Sequence, residues 1–118
     1  MWEDRLEKII IVEGRSDKKK IEKVIIDPDV TVICTNGTLG VEQFDELLYK
    51  YELDDQDVYI LVDEDKTGLK LRKQLSRELP HAKHIHVNKV YKEVATTPEK
   101  DLAIALVAKN IEVNIAYL

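Results

Sequence analysis

Tyr59-Ile60-Leu61-Val62-Asp63-Glu64-Asp65-Lys66-Thr67-Gly68 is the stretch on which the fold turns. An apolar run carries two aspartates, one residue apart, to its end, and a helical pattern bearing a glycine follows at once. In extended backbone, residues i and i+2 point to one side, roughly 6–7 Å apart at Cα. Asp63 and Asp65 can therefore converge on one hard cation. A second apolar run, Ile9-Ile10-Ile11-Val12-Glu13-Gly14, ends in the same way. Two parallel strands that deliver carboxylates to one sheet edge would make a magnesium site.

Outward from this stretch, strand and helix patterns alternate. Lys8–Glu13 reads as a strand, followed by a helix from about Asp17 with Ser16 as N-cap. Ile21, Val24 and Ile25 keep helical spacing, and Asp27-Pro28-Asp29 breaks it. Val30–Thr35 is a second strand; the turn Asn36-Gly37-Thr38-Leu39-Gly40 leads to a helix with Val41, Phe44, Leu47, Leu48 and Tyr51 on one face. A third strand covers Val58–Val62, a third helix runs from Thr67 to Leu79 before Pro80, and His84–Val87 is a fourth strand. Residues 88–97 read as a loop. Thr97-Pro98-Glu99 starts a last helix to about Lys109, with threonine capping and proline first. The alternating end, Ile111–Tyr117, fits a half-buried strand.

Nearly continuous apolar strands between helices predict an α/β, Rossmann-like fold: an open, mainly parallel sheet of four to five strands with helices on both faces. Right-handed crossovers put every strand-to-helix loop at one sheet edge, where ligands bind near the switch point. Glu13, Asn36, Gly37, Asp63 and Asp65 all fall there.

The 118 residues fit one domain, and 44% hydrophobic with 35% charged content is the profile of a folded, soluble protein. The lone Cys34 permits no internal disulfide and fits a reducing cytosol, as a buried thiol rather than a nucleophile. Met1-Trp2-Glu3-Asp4 is acidic and the first apolar run is short, so no signal peptide is expected. No run approaches the roughly 20 apolar residues that span a bilayer. A cytoplasmic protein without a membrane partner is therefore expected. The net charge of −5 does not favour nucleic acid in bulk. Acids concentrate in residues 42–57, however, and lysines and arginines in 15–23 and 66–92, which leaves room for a local basic face.

Magnesium takes oxygen ligands in near-octahedral geometry and keeps several waters, so few carboxylates suffice. Two such ions could clamp both oxygens of a phosphodiester displacement; manganese would serve as well. Against this stands a plainer alternative, that acids after strands only cap helices or face water. A lone D-x-D is weak; Glu13-Gly14 at the end of another apolar strand is what strengthens it.

Strand-Glu-Gly near the start, a strand with an Asn-Gly turn, then Asp-x-Asp-x-x-Gly after the third strand resembles the Toprim domain of primases, topoisomerases, repair proteins and nucleases. The resemblance covers roughly residues 8–90 and is nearest to small Toprim proteins related to the ribonuclease that matures ribosomal RNA. Their Ile-Val-Glu-Gly-x-x-Asp and Thr-Asn-Gly appear here at Ile11–Asp17 and Thr35–Gly37. It implies that Glu13 acts as general acid or base and touches metal, and that Asp63 and Asp65 bind magnesium. It implies that Gly14 admits a phosphate close to the backbone and Gly68 lets helix pack on sheet. Glu64 stands where many members have proline, and strand alternation points it away from the two aspartates; Lys66 stands where many have arginine.

Lys66, Lys70, Lys73 and Arg77 share a narrow band of the third helix, opposite Gly68, Leu71, Leu75 and Leu79. The stripe could follow a nucleic-acid backbone or simply be a solvated face. The same pair of alternatives applies to Lys18, Lys19, Lys20 and Lys23 beside Glu13; Lys89 or Lys92, in the loop after the fourth strand, could neutralise a pentavalent phosphate or be an ordinary loop lysine. His81, His84 and His86 lack the thiolates or further spaced ligands of a zinc site and fit an edge strand in water. Trp2 and Tyr117 fit either a cover over the sheet or a homodimer contact.

The expected function is magnesium-dependent phosphodiester chemistry on RNA or DNA, most simply as a small nuclease, because hydrolysis needs only water, metal and a base. The alternative is a Toprim module that binds nucleic acid or a partner without turnover. Asp63-Glu64-Asp65-Lys66-Thr67 also matches the D-x-D-x-T motif of haloacid-dehalogenase-type phosphatases. Those enzymes place it after their first strand, and here it follows the third.

Overall fold

The computed structural model describes residues 7–37 and 39–118; Trp2, the acidic Met1–Asp4 segment and Thr38 of the turn lie outside them. Four short apolar runs form one sheet: β1 (Lys8–Val12), β2 (Val30–Cys34), β3 (Asp57–Leu61) and β4 (Lys83–Ile85). All pairings are parallel, in the order β2-β1-β3-β4. The chain moves one way from β1 to β2, then returns across β1 to lay down β3. The switch point thus falls between β1 and β3, the strands that lead to Glu13 and Asp63.

Alternation divides the strand residues between two cores, as a sheet buried on both faces requires. Ile10, Val12, Val32, Tyr59, Leu61 and Ile85 pack with Ile21 and Val24 of α1 (Arg15–Val24) and Leu102, Ala103 and Leu106 of α4 (Glu99–Val107). Ile9, Ile11, Ile33, Val58 and Ile60 pack with Phe44 of α2 (Val41–Tyr51) and Leu71, Leu75 and Leu79 around α3 (Lys66–Glu78). The α/β, parallel-sheet expectation holds, with four strands.

Strands β1 to β3 and helix α3 fall within one residue of the sequence expectation, and four other places differ by more. The first helix starts at Arg15, not Asp17, because Asp17 Oδ2 accepts the backbone N–H of Gly14 at 3.2 Å and makes Gly14 the N-cap in place of Ser16. Strand β4 stops at Ile85, whose carbonyl is taken by Arg72 Nη2 at 3.0 Å. Pro98 precedes the last helix, which runs Glu99–Val107; Thr97 Oγ1 donates back to Glu93 O at 2.7 Å instead of capping. The alternating end is not a fifth strand. Val113 forms one antiparallel bridge with Ile25, and Ile115–Tyr117 is a 3-10 turn. Its alternation reflects Ile111 and Val113 plugging the core below α1, and Tyr117 packs against that same core.

Candidate metal centre and nucleic-acid face

Glu13, Gly14, Asn36, Gly37, Asp63 and Asp65 line one open cleft of about 460 Å³, together with Asp17 and Thr67. Short local rules put them there. Thr35 N donates to Val12 O and Asn36 N to Glu13 O (2.7 Å), so the turn after β2 closes onto the end of β1. That turn runs through left-handed backbone at Asn36 (φ 59) and Gly37 (φ 110), conformations that asparagine and glycine tolerate. Gly14 has ordinary extended backbone, and a β-carbon there would meet only Asp17 Oδ2 at 3.4 Å. Its missing side chain leaves the cleft floor open. A larger hollow of about 630 Å³ beside α2, with Asp45, Lys50, Glu52, Asp54 and Asp55, contains none of the strand-end residues.

Each aspartate commits one oxygen to backbone. Asp63 Oδ1 accepts from Val94 N at 2.8 Å, and Asp65 Oδ1 accepts from Gly68 N at 2.8 Å, which caps α3. The second oxygen of each has no hydrogen bond among the described residues. A β-carbon on Gly68 would overlap Asp63 O and lie 2.7 Å from the carbonyl carbon that bears it. The glycine therefore seats α3 against the backbone of the acidic segment itself, a tighter demand than general helix-on-sheet packing.

A third carboxylate joins this pair, and it is Glu93. One oxygen from each of Asp63, Asp65 and Glu93 lies within 4.8 Å of the others. The flanking backbone carries Glu93 there: Glu64 N donates to Lys92 O at 2.6 Å and Val94 N reaches Asp63. Val94 is fully buried and anchors the loop in the core. The sequence pattern does not reveal Glu93. The neighbouring Val94 is no pointer either, because it shares its loop with Val90, Tyr91 and Ala95 and does not stand out in the sequence. Asp17, in the sequence the start of a helix and the last residue of the Ile-Val-Glu-Gly-x-x-Asp pattern, joins the same cleft.

Electrostatics mark the cleft as a place for a cation. Burial first, then the charges of Asp63, Asp65 and Asp17, raise the Glu13 carboxyl above its usual range. Burial, then Asp65 and Glu64, raise Asp63 against the lowering effect of the Val94 amide. Burial, Asp63 and Glu93 raise Asp17, opposed by the Gly14 amide. Magnesium–oxygen bonds of about 2.0–2.1 Å put ligand oxygens about 3–4 Å apart. The three oxygens, within 4.8 Å of one another, approach that spacing and offer the all-oxygen chemistry a hard divalent cation takes.

The predicted cations divide into two groups. Lys70, Lys73 and Arg77 line a groove with Leu39 and Gln74, and Lys66 is exposed at the head of the same helix. Gln74 locks the turn before α2 to this groove through Leu39 O (2.7 Å) and Leu39 N (3.4 Å). Lys20 instead donates to Ala95 O (2.7 Å), and Lys23 pairs with Glu99 (3.4 Å). Those two fasten α1 to α4. Lys18 is half-buried, and Lys19, Lys89 and Lys92 are exposed. The histidines form no metal cluster with cysteines or acids among the described residues. His84 and His86 stack at 6.1 Å, His84 against Arg72 and His86 against Glu64, and His81 meets the carbonyls of Leu53 and Gln56.

An open parallel sheet with acids from two strand ends meeting at its switch point defines an α/β protein with an acidic centre. The chain belongs to the Toprim family, whose domain pattern matches residues 8–90. It is 51% identical over 115 residues to YusF, an uncharacterized protein of Bacillus subtilis strain 168, covering 98% of this chain and 77% of that one. It is 34% identical over 85 residues to ribonuclease M5 of Listeria monocytogenes, covering 71% of this chain and 42% of the enzyme. The solved structure of a small TOPRIM domain protein from Bacillus stearothermophilus superposes with a TM-score of 0.86 at 43% identity, covering 97% of this chain and 94% of that one. The chain spans less than half the length of the ribonucleases M5 it matches. These relationships support a function connected with nucleic acid.

Proposed function

We propose that this protein is a small, magnesium- or manganese-dependent nuclease. The observation that carries the proposal is the convergence of Asp63, Asp65 and Glu93 oxygens within 4.8 Å, in a centre whose cleft Glu13 also lines. Asp63, Asp65 and Glu93 would hold the ion, which polarises the phosphodiester and lowers the pKa of a bound water. Glu13, its proton affinity raised by burial and neighbouring acids, is suited to take and return the proton of the reaction. Asn36, Gly37 and Gly14 border the space a phosphate would fill. The cations of α3, with Lys18, Lys89 and Lys92, supply contacts to the strand on either side. The proposal treats the chain as a single cytoplasmic module; among the described residues no helix is long and apolar enough to cross a membrane.

Incubation with mixed structured RNA and DNA plus magnesium or manganese tests this. Wild type should cleave one of them, and Glu13→Gln should slow cleavage by about 10²–10⁴-fold, the usual share of a general acid–base group. Asp65→Asn should abolish ion uptake and cleavage while leaving the fold intact, because asparagine caps a helix as well as aspartate does. A non-catalytic binding module is the second reading, favoured by the net charge of −5 and the partial span of the ribonuclease M5 relatives. Wild type would then retain metal-dependent oligonucleotide binding and show no cleavage for Glu13→Gln to slow.

A further inference from the structure

Glu64 sets a problem. It adds a negative charge between two aspartates that already repel, yet its side chain is only 7% exposed. Arg72, 8% exposed, pairs with it at 3.1 Å from α3. The same guanidinium donates through Nη1 to Ile60 O (3.2 Å) and through Nη2 to Ile85 O (3.0 Å), and Nη1 lies 2.9 Å from His84 Nδ1. One side chain thus joins β3, the end of β4 and the acidic segment. Only the planar fork of arginine can do this; lysine offers a single point charge.

Stability alone does not account for the pair. A buried ion pair is generally no more stabilising than well-packed apolar residues of similar volume. Its geometry accounts for it better. The three residues of the acidic segment are pinned by different partners: Asp63 by Val94 N, Asp65 by Gly68 N, and Glu64 by Arg72 with His86 on the same oxygen. We propose that Arg72 is a positioning residue, acting through Glu64 to hold the uncommitted oxygens of Asp63 and Asp65 at the spacing that Glu93 completes. The proposal rests on the metal reading above.

The sign of the effect separates positioning from charge. A cation beside a divalent-ion site opposes the ion, so if Arg72 acted only by its charge, losing it would tighten binding. Losing a positioning residue weakens it. The paired substitution Arg72→Met/Glu64→Met leaves net charge unchanged, and Arg72→Lys, which keeps both charges, is run beside it to separate loss of position from loss of the Glu64 anion next to the site. Mn2+ titration of the purified full chain by calorimetry, beside circular dichroism and thermal melts, reads the outcome. The double variant should stay folded and bind Mn2+ about 10–100-fold more weakly, the usual cost of losing a ligand's supporting partner. Leu75→Ala, a core substitution on the same helix, should lower the melting temperature without moving the Mn2+ dissociation constant. Arg72→Lys, which loses the hydrogen bonds to the carbonyls, should show weakened binding on its own, whether or not the double variant folds. Wild-type Mn2+ affinity in the folded double variant or in Arg72→Lys would overturn the proposal alone. Wild type that takes up no Mn2+ would overturn the metal reading and this one with it.

Discussion

At the scale of single residues, the acidic segment is fixed by contacts that leave little latitude. Alanine in place of Gly68 would gain about 1 kcal/mol of helix propensity on an open surface. Here its methyl would collide with Asp63 O, so helix or segment must shift. Overpacking of this kind costs about 1–3 kcal/mol, enough to outweigh the propensity gain. Gly68→Ala should therefore lower unfolding stability in denaturant titration and weaken Mn2+ uptake together; a gain in stability would contradict the placement. Protons report on the same acids. Glu13, Asp17 and Asp63 are raised above ordinary values of 4.5, 3.8 and 3.8. The ion-free fold thus holds protons more tightly than the unfolded chain does. Its stability from these groups is greatest below those ordinary values and declines as pH rises through the raised ones. A bound divalent ion removes the repulsion behind that decline, and protons compete with it for the ligands. The increase in Tm produced by Mn2+ should accordingly grow from about pH 5 to about pH 7. Melts with and without the ion at each pH would show it, and a flat difference would count against a carboxylate site. His84, held below its usual 6.5 by burial and then by Arg72, loses stability towards acid in both samples and cancels in the comparison.

Among the elements, α3 combines the most roles. Its N-cap is Asp65, its buried side supplies Leu71, Arg72 and Leu75, and its outer side carries Lys66, Lys70, Lys73 and Arg77. The outer cations are separable from the metal centre. Lys70→Glu with Lys73→Glu should weaken oligonucleotide binding and reduce the dependence of log K on log salt by about 1 for each phosphate left without its cation. Mn2+ affinity should stay near that of wild type. Filter binding across a salt series would test this, and an unchanged slope would return the stripe to solvent. This element also shows where sequence is readable. Heptad-scale spacing exposes both faces of α3, and strand-end motifs expose Glu13, Asp63 and Asp65, because those patterns are local. Glu93 and Arg72 escape such reading because bonds between distant segments place them: Val94 N to Asp63, and Arg72 to the ends of β3 and β4. The terminal alternation misleads for a related reason. Period-two burial at Ile111 and Val113 arises from packing under α1, with one bridge and no neighbouring strand among the described residues.

The whole molecule separates its charges by place. The net charge is −5, yet the acids of the cleft gather at one sheet edge, and the cations of α3 run away from them, from Lys66 at the head of the helix to Arg77 near its far end. The opposite edge holds the chain end: Asn114 N donates to Val24 O (2.8 Å), Ile26 N to Glu112 O (3.1 Å) and Lys8 Nζ to Asn110 O (2.8 Å). Helix α1 separates the two, its first turn at the cleft and its tenth residue, Val24, about 15 Å further along the axis. A biotin or fluorophore coupled beyond Leu118 would consequently stand clear of the carboxylates, and a chain tethered there to a sensor chip would present its acids to whatever polymer flows past.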